Sequence, residues 1–135
     1  MSVIMSKRQV SKAEFVNKAY DLAIQINSFL SSFSRRDEKR NYDTIWPLIQ
    51  RLVNNVIMIN DIYTQTSNLL LLYYRSLLIQ ESISCCTTTD VWLSIAYDTA
   101  IKKEGVEDKS KFPKDSLTLK INKLLEEEIK LLKRV

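Results

Sequence analysis

Apolar residues recur at alternating intervals of four and three over two long stretches of the chain, the spacing of one face of an α-helix. The first stretch predicts a helix over residues 11–33. A capping box opens it, in which Ser11 and Glu14 would hydrogen-bond each other's backbone amides. The apolar faces are Phe15, Ala19, Leu22, Ile26, Phe29 and Phe33 in the first stretch, and Ile45, Ile49, Leu52, Val56, Ile59 and Tyr63 in the second.

Residues 45–83 form the least charged part of the chain and predict its central helices. The run from Leu69 to Ile79 is apolar almost all round, so we expect other helices to surround it. One helix over 44–83 would be about 60 Å long, which is long for a domain of this size. Two helices, 44–63 and 67–83, are therefore favoured, with the polar stretch 64–68 capping the second. A single long helix is the alternative.

Polar segments predict the remaining connections. Residues 34–43 predict a charged loop, after which Asp43 or Thr44 would cap the next helix and Pro47 would lie in its first turn. Residues 84–88 predict another connection, after which Thr88 or Thr89 would cap a short helix that Gly105 stops. A linker over 105–114 precedes a last helix from Asp115 or Ser116 to about residue 134. The inward faces expected are Val91, Trp92, Ile95, Ala96 and Ile101 in the short helix, and Leu117, Ile121, Leu124, Leu125, Ile129 and Leu132 in the last.

Composition supports few connections between long helices. The chain has one glycine and two prolines in 135 residues, whereas sheets and tight hairpins need glycine for turns with positive φ. We therefore predict an all-α bundle of four to five helices, forming a single domain over residues 1–135 with an N-terminal arm at 1–10. Its length is sufficient for a hydrophobic core.

Charge and cysteine content indicate the surroundings of the protein. The net charge is +4, and the basic residues concentrate towards the two ends of the sequence, which mildly favours a polyanionic partner. Neighbouring cysteines such as Cys85 and Cys86 rarely meet disulfide geometry. The first residues lack the basic, apolar and small pattern that predicts a signal peptide, and the longest apolar run is too short to span a bilayer. We expect a reduced, cytoplasmic location without membrane contact.

The sequence lacks the residues that common catalytic sites need. The absence of histidine excludes Ser-His and Cys-His catalysis, and a single glycine excludes phosphate-cradling loops. Two adjacent cysteines cannot form a tetrahedral zinc site. The carboxylate clusters at 37–38, 107–108 and 126–128 are expected to be solvated. We predict a non-enzyme with no catalytic residue, no cofactor and no metal.

Three features could nevertheless have a function. Arginines and lysines near residues 35–40 could contact phosphates, or they could form a solvated loop that Asp37 and Glu38 partly neutralise. The aromatic residues could stack on bases, but core packing is favoured for them and for Trp46 at its helix start. Cys85 and Cys86 are expected to be small buried residues at a helix end. The candidate nucleic-acid-binding residues are Arg35, Arg36, Lys39, Arg40, Lys7, Arg8 and Lys12, and the aromatic residues are Tyr63, Tyr73, Tyr74, Trp92 and Tyr97.

Two segments resemble the small helical subunit of type III CRISPR effector complexes. Residues 13–20 (AEFVNKAY) are similar to that family's first helix, and residues 42–49 (YDTIWPLI) are similar to the stretch that leads into its second helix. The resemblance implies a basic, non-catalytic helical bundle that stacks along guide and target RNA. Asn54-Asn55 depart from the family, which commonly has an Asn-Gly turn after the proline.

These observations predict a basic helical subunit of a larger nucleoprotein assembly. It would bind the phosphate backbone without sequence readout, with RNA favoured over DNA, and its remaining surfaces would contact other protein subunits. Two alternatives stay open: a viral coat or nucleic-acid-packaging protein, which the same basic residues would serve, and a protein–protein adaptor, in which a groove between helices takes a partner helix.

Overall fold

The computed structural model describes residues 13–31, 35–62, 65–104 and 115–135, and the side chains at 35–38, 100–104 and 115–118 lie outside this description. Within the described residues the chain forms four α-helices and no strand, which confirms the predicted all-α class. The helices are α1 (Glu14–Ser31), α2 (Arg35–Asp61), α3 (Leu69–Glu104) and α4 (Asp115–Arg134). None of them carries, over the described residues, an apolar stretch long enough to cross a bilayer.

Each helix packs beside the next along the chain, and α4 returns to pack against α1. The pairs are antiparallel, because the start of one helix meets the end of its neighbour. This is the up-down arrangement of a four-helix bundle. Four side-chain hydrogen bonds join the pairs: Tyr42 to Asn27 (3.4 Å), Asn55 to Glu81 (3.2 Å), Arg75 to the Val135 carbonyl (3.3 Å) and Lys18 to Glu127 (2.6 Å).

The apolar faces predicted for α1, α2 and α4 form the core. Burying these faces is the main source of stability in a bundle of this kind, since apolar surface leaves water. Phe33 and Tyr63, predicted to share these faces, lie outside the described residues, as does Ser11 of the predicted capping box. The buried members are Phe15, Ala19, Leu22, Ile26 and Phe29 of α1, Ile45, Ile49, Leu52, Val56 and Ile59 of α2, and Ile121, Leu125 and Leu132 of α4.

Helix α2 begins at Arg35, so the predicted charged loop over 34–43 is wrong. Arginine, lysine and glutamate are good helix formers. Tertiary contacts also stabilise the helical turns that are found in place of the predicted loop. The ring of Tyr42 stacks on Trp46 with centroids 5.3 Å apart, and its hydroxyl bonds to α1. Asp43 and Thr44 are therefore interior residues and not caps. Pro47 lies well inside the helix and not in its first turn.

The break between α2 and α3 confirms two helices in place of one over 44–83. Asn68 caps α3, because its Oδ1 accepts hydrogen bonds from the backbone amides of Leu70 (3.1 Å) and Leu71 (3.3 Å). The polar stretch before α3 thus has the capping role predicted for it. At the other end α3 reaches Glu104, and Gly105 lies outside the described residues.

Helix α3 is unbroken through residues 84–88, so the connection predicted there is wrong, and Thr88 and Thr89 are not caps. The hydroxyls of Ser82, Thr87 and Ser94 each donate to the carbonyl four residues earlier, at 2.7, 3.1 and 2.9 Å. These bonds satisfy the hydroxyls without ending the helix. Burial of Cys85, Cys86 and Leu93 against the bundle fixes the segment in place.

The apolar start of α3 is exposed, which overturns the expectation that other helices surround it. Leu70 and Tyr73 are 79% and 64% exposed, and of the large apolar residues over 69–77 none is buried. Length explains this. At 36 residues α3 is about 54 Å long, whereas its neighbours α2 and α4, with 27 and 20 residues, are only about 40 and 30 Å long and cannot cover its whole length. Further along, Val91, Trp92 and Ile95 are also exposed, and Leu93, Ala96 and Tyr97 face the core instead. The predicted inward face is therefore confirmed at Ala96 and wrong at Val91, Trp92 and Ile95, and the side chain of Ile101 lies outside the description.

Candidate nucleic-acid interface

The basic cluster at residues 35–40 lies on the first turns of α2. At about 100° per residue, positions 35, 36, 39 and 40 fall within an arc of about 140° on one side of the helix. Positions 37 and 38, which carry the two acids, fall outside that arc. The helical backbone therefore segregates the basic positions from the acidic ones, which a flexible loop would not do. A helix N-terminus also carries positive potential.

Lys39 and Arg40 are the members of the cluster whose side chains are described, and both are exposed. The side chains of Arg35 and Arg36 lie outside the description, although their backbone is helical. Lys7, Arg8 and Lys12 lie outside the described residues altogether. The structure thus brings four of the seven candidate positions onto one helix and leaves the other three unplaced.

A groove of about 240 Å³ lies beside the cluster, between α2 and α3. It is smaller than the roughly 300–1,000 Å³ of pockets that enclose small molecules. Its walls combine a guanidinium, an indole and several small polar groups. The lining residues are Arg40, Asn41, Thr44 and Ile45 from α2, and Trp92, Ile95, Ala96 and Thr99 from α3.

Asn41 is the buried polar residue of this groove. Its side chain is 6% exposed, and its Nδ2 has no hydrogen-bond partner among the described residues. A buried amide without a partner is costly. The sequence analysis does not single out Asn41. A signal for it is present in the sequence, since Asn41 precedes Ile45 by four and so continues the apolar face of α2 with a polar residue.

Trp92 supplies the aromatic surface of the groove, and it is 42% exposed. The prediction that the aromatic residues pack in the core is wrong for Trp92, Tyr73 and Tyr74, which are exposed, and is confirmed for Tyr97, which is buried. Tyr63 lies outside the described residues. Trp46 packs against the core as expected, but in the middle of α2.

One predicted solvated carboxylate is buried. Glu128 is fully buried, and neither carboxyl oxygen has a hydrogen-bond partner among the described residues. Burial disfavours its charged form and raises its pKa to about 8, although Lys18 acts in the opposite direction. Among the described residues no group of three His, Cys, Asp or Glu side chains is placed to hold a metal ion.

Cys85 and Cys86 are free thiols on the core side of α3. Their burial confirms the prediction of small buried residues, but they lie in the middle of a helix and not at its end. Desolvation raises the pKa of both thiols. The reactive thiolate form is therefore disfavoured at both positions.

Comparison with family models, with curated proteins and with solved structures finds no match for this chain. The candidate interface is accordingly described by its own chemistry. It offers cationic groups for phosphates and an indole face for stacking.

Proposed function

We propose that this protein is a non-enzymatic subunit of a nucleoprotein assembly that holds single-stranded nucleic acid, RNA in preference to DNA. The observation that supports it most is the placing of the basic positions 35, 36, 39 and 40 on one side of α2, next to the groove that holds Trp92. Phosphate contacts of this kind position a strand without reading its sequence.

The groove suits a base of a single strand better than a duplex. An exposed indole can stack on any base, an interaction worth roughly 1–3 kcal/mol. Bases in a duplex are already stacked on each other and cannot reach such a groove. Cationic positions on the neighbouring turns would hold the adjoining phosphates.

The proposed assembly is an RNA-guided effector complex. The resemblance of residues 13–20 and 42–49 to the small subunit of type III CRISPR complexes supports this choice. In this chain the second of those stretches lies inside α2 and does not lead into it. The proposed role is that of a subunit which contacts RNA phosphates while other surfaces contact neighbouring proteins.

The test is binding to labelled single-stranded RNA, single-stranded DNA and duplex DNA across a salt series. The quadruple variant Arg35→Ala, Arg36→Ala, Lys39→Ala, Arg40→Ala should bind RNA at least tenfold more weakly. It should also have a shallower salt dependence, by roughly 0.7 in slope for each phosphate that the variant no longer neutralises. The matched control removes four lysines of α4, Lys120, Lys123, Lys130 and Lys133, with the same change in net charge.

The variant Trp92→Ala tests the contribution of the groove to binding separately from that of the basic residues. It should weaken binding of single strands several-fold and leave any duplex binding and the salt slope unchanged, because an indole contributes no charge. Equal losses in the α2 and α4 quadruple variants would reduce the effect to net charge and overturn the site. Absence of binding by the wild type at low salt would overturn the proposed function.

A further inference from the structure

One side of α3 is left uncovered by the other three helices along most of its length. Seven residues run down this side at intervals of four, three, four, four, three and four. Most of them are exposed, and the rest are half-buried. They are Tyr73, Leu77, Gln80, Ser84, Thr88, Val91 and Ile95, hereafter the α3 stripe.

The α3 stripe has the same pattern in both directions from Ser84. Leu77 and Val91 lie seven residues to either side of it, and Tyr73 and Ile95 lie eleven to either side. The ends of the stripe are therefore apolar, and its centre is small and polar. A surface with this symmetry is complementary to itself when the second helix runs antiparallel, which is the condition for a two-fold interface.

The distribution of charged residues on α3 is also consistent with a second copy of the chain as the partner. A two-fold contact places residues near the axis against their own kind, so a charge there would be repelled by its copy. None of the seven residues of the α3 stripe is charged. Two of the nearby charges are engaged within the chain: Glu81 accepts from Asn55 and lies 3.6 Å from Arg51 Nε, and Arg75 donates to the Val135 carbonyl. The exposed acids Asp90 and Asp98 also lie on α3, and neither would meet its own copy in an antiparallel pair centred on Ser84.

The exposed area suits a dimer as well. The large apolar side chains of the α3 stripe, together with Leu70 and Tyr74, expose on the order of 600 Å². This area lies at the two apolar ends of the stripe and is about as large as the largest apolar patch of a typical monomer, roughly 300–600 Å². Together with the polar centre of the stripe it would form part of the roughly 800 Å² that each partner buries in a standard interface. The stripe extends about 33 Å along the helix, which is long enough for continuous helix–helix packing.

We propose that a second copy of this chain packs on the α3 stripe, with the two α3 helices antiparallel and crossing at Ser84. Leu77 then lies opposite Val91 of the partner subunit, and Tyr73 lies opposite Ile95 of the partner subunit. The small side chain at Ser84 allows the two backbones to approach closely. Ile95 belongs to both the α3 stripe and the lining of the groove, so the groove borders the contact at this end of the stripe.

Sedimentation velocity of the full chain at micromolar concentrations tests the dimer. The wild type should sediment as a dimer and Leu77→Lys as a monomer. Leu119→Lys on α4, another exposed apolar position, is the matched control and should stay dimeric. The double variant Leu77→Glu, Val91→Lys places opposite charges across an antiparallel contact and should recover the dimer that each single variant loses.

Oxidative cross-linking tests the position of the axis. Ser84→Cys should form a disulfide-linked dimer, because this position meets its own copy. Gln80→Cys should not, because its partner in an antiparallel pair is Thr88. Helical circular dichroism of each variant shows that loss of the dimer is not loss of the fold.

A wild type that stays monomeric would overturn the proposal. If deletion of residues 1–12 then produced a dimer, that segment would be the occupant of the α3 stripe. If the deletion did not change the oligomeric state, the α3 stripe would be a binding surface for a different protein. Cross-linking of Gln80→Cys as fast as Ser84→Cys would overturn the antiparallel register.

Discussion

Lys18 Nζ donates a 2.6 Å hydrogen bond to Oε2 of Glu127 and so joins α1 to α4. This bond raises the pKa of Lys18 and lowers the pKa of Glu127. The next residue, Glu128, lies on the core side of the same helix, where burial raises its pKa to about 8. The pKa values of two neighbouring acids of α4 thus shift in opposite directions, because Glu127 accepts a hydrogen bond from Lys18 at the surface whereas Glu128 is buried without a hydrogen-bond partner among the described residues.

Glu128 should make stability fall as pH rises. Its carboxyl titrates near 4.5 when unfolded and about 8 when folded, so between these values the folded state holds a proton that the unfolded state has lost. The stabilising contribution of the protonated form is complete below about pH 4.5 and is lost as pH rises through about 8. Glu128→Gln should raise the free energy of unfolding by about 1–3 kcal/mol at pH 9 and change it little at pH 5.

Urea denaturation across this pH range measures the effect. Glu126→Gln is the matched control, since it makes the same change at an exposed position two residues earlier. Its stability should follow the wild type at every pH. A Glu128→Gln curve that runs parallel to the wild type would contradict the assignment.

Asn68→Ala should destabilise the protein by about 1 kcal/mol. It removes the side-chain oxygen that accepts from the amides of Leu70 and Leu71, leaving both donors to water. Asn68→Asp keeps an oxygen at the same place and should retain most of the stability. Ser67→Ala, at the exposed preceding residue, serves as the control. Chemical denaturation distinguishes the three, and equal loss in Ser67→Ala would argue against a cap.

Pro47→Ala should stabilise the protein by about 1–3 kcal/mol. Proline inside a helix lacks the amide that would bond to the carbonyl of Asp43, and its ring crowds that carbonyl. Alanine restores the bond, and the exposed position leaves no cavity. Thermal and urea unfolding measure the gain. An unchanged or lower stability would indicate that contacts around the proline depend on its effect on the helix.

Cys85 and Cys86 should react slowly with thiol reagents in the folded protein. Both are buried, and the raised pKa values of their thiols keep the thiolate fraction low. Labelling should accelerate by orders of magnitude in urea. Rapid labelling without denaturant would instead favour a redox role and local opening of α3.

The candidate interface was only partly predictable. The density of arginine and lysine at 35–40 indicates the basic cluster. The loop expected there, however, would not place the acidic and the basic side chains on separate sides. Helical backbone from Arg35 onward sorts them into faces. Trp92 and Asn41 lie on different helices, far apart in sequence, and only the packing of α2 against α3 brings them to one groove.

The sequence by itself determined the all-α class, the apolar faces of α1, α2 and α4, and the capped start of α3. The class and the faces follow from the helical spacing of the apolar residues, and the capped start follows from local hydrogen bonding. Both depend only on residues that are close in sequence. Only the tertiary structure decided that α3 continues through its serines and threonines, that its apolar start is exposed and that Glu128 is buried. Periodicity shows which residues share a face of a helix, whereas the length and position of the other helices decide which face is covered.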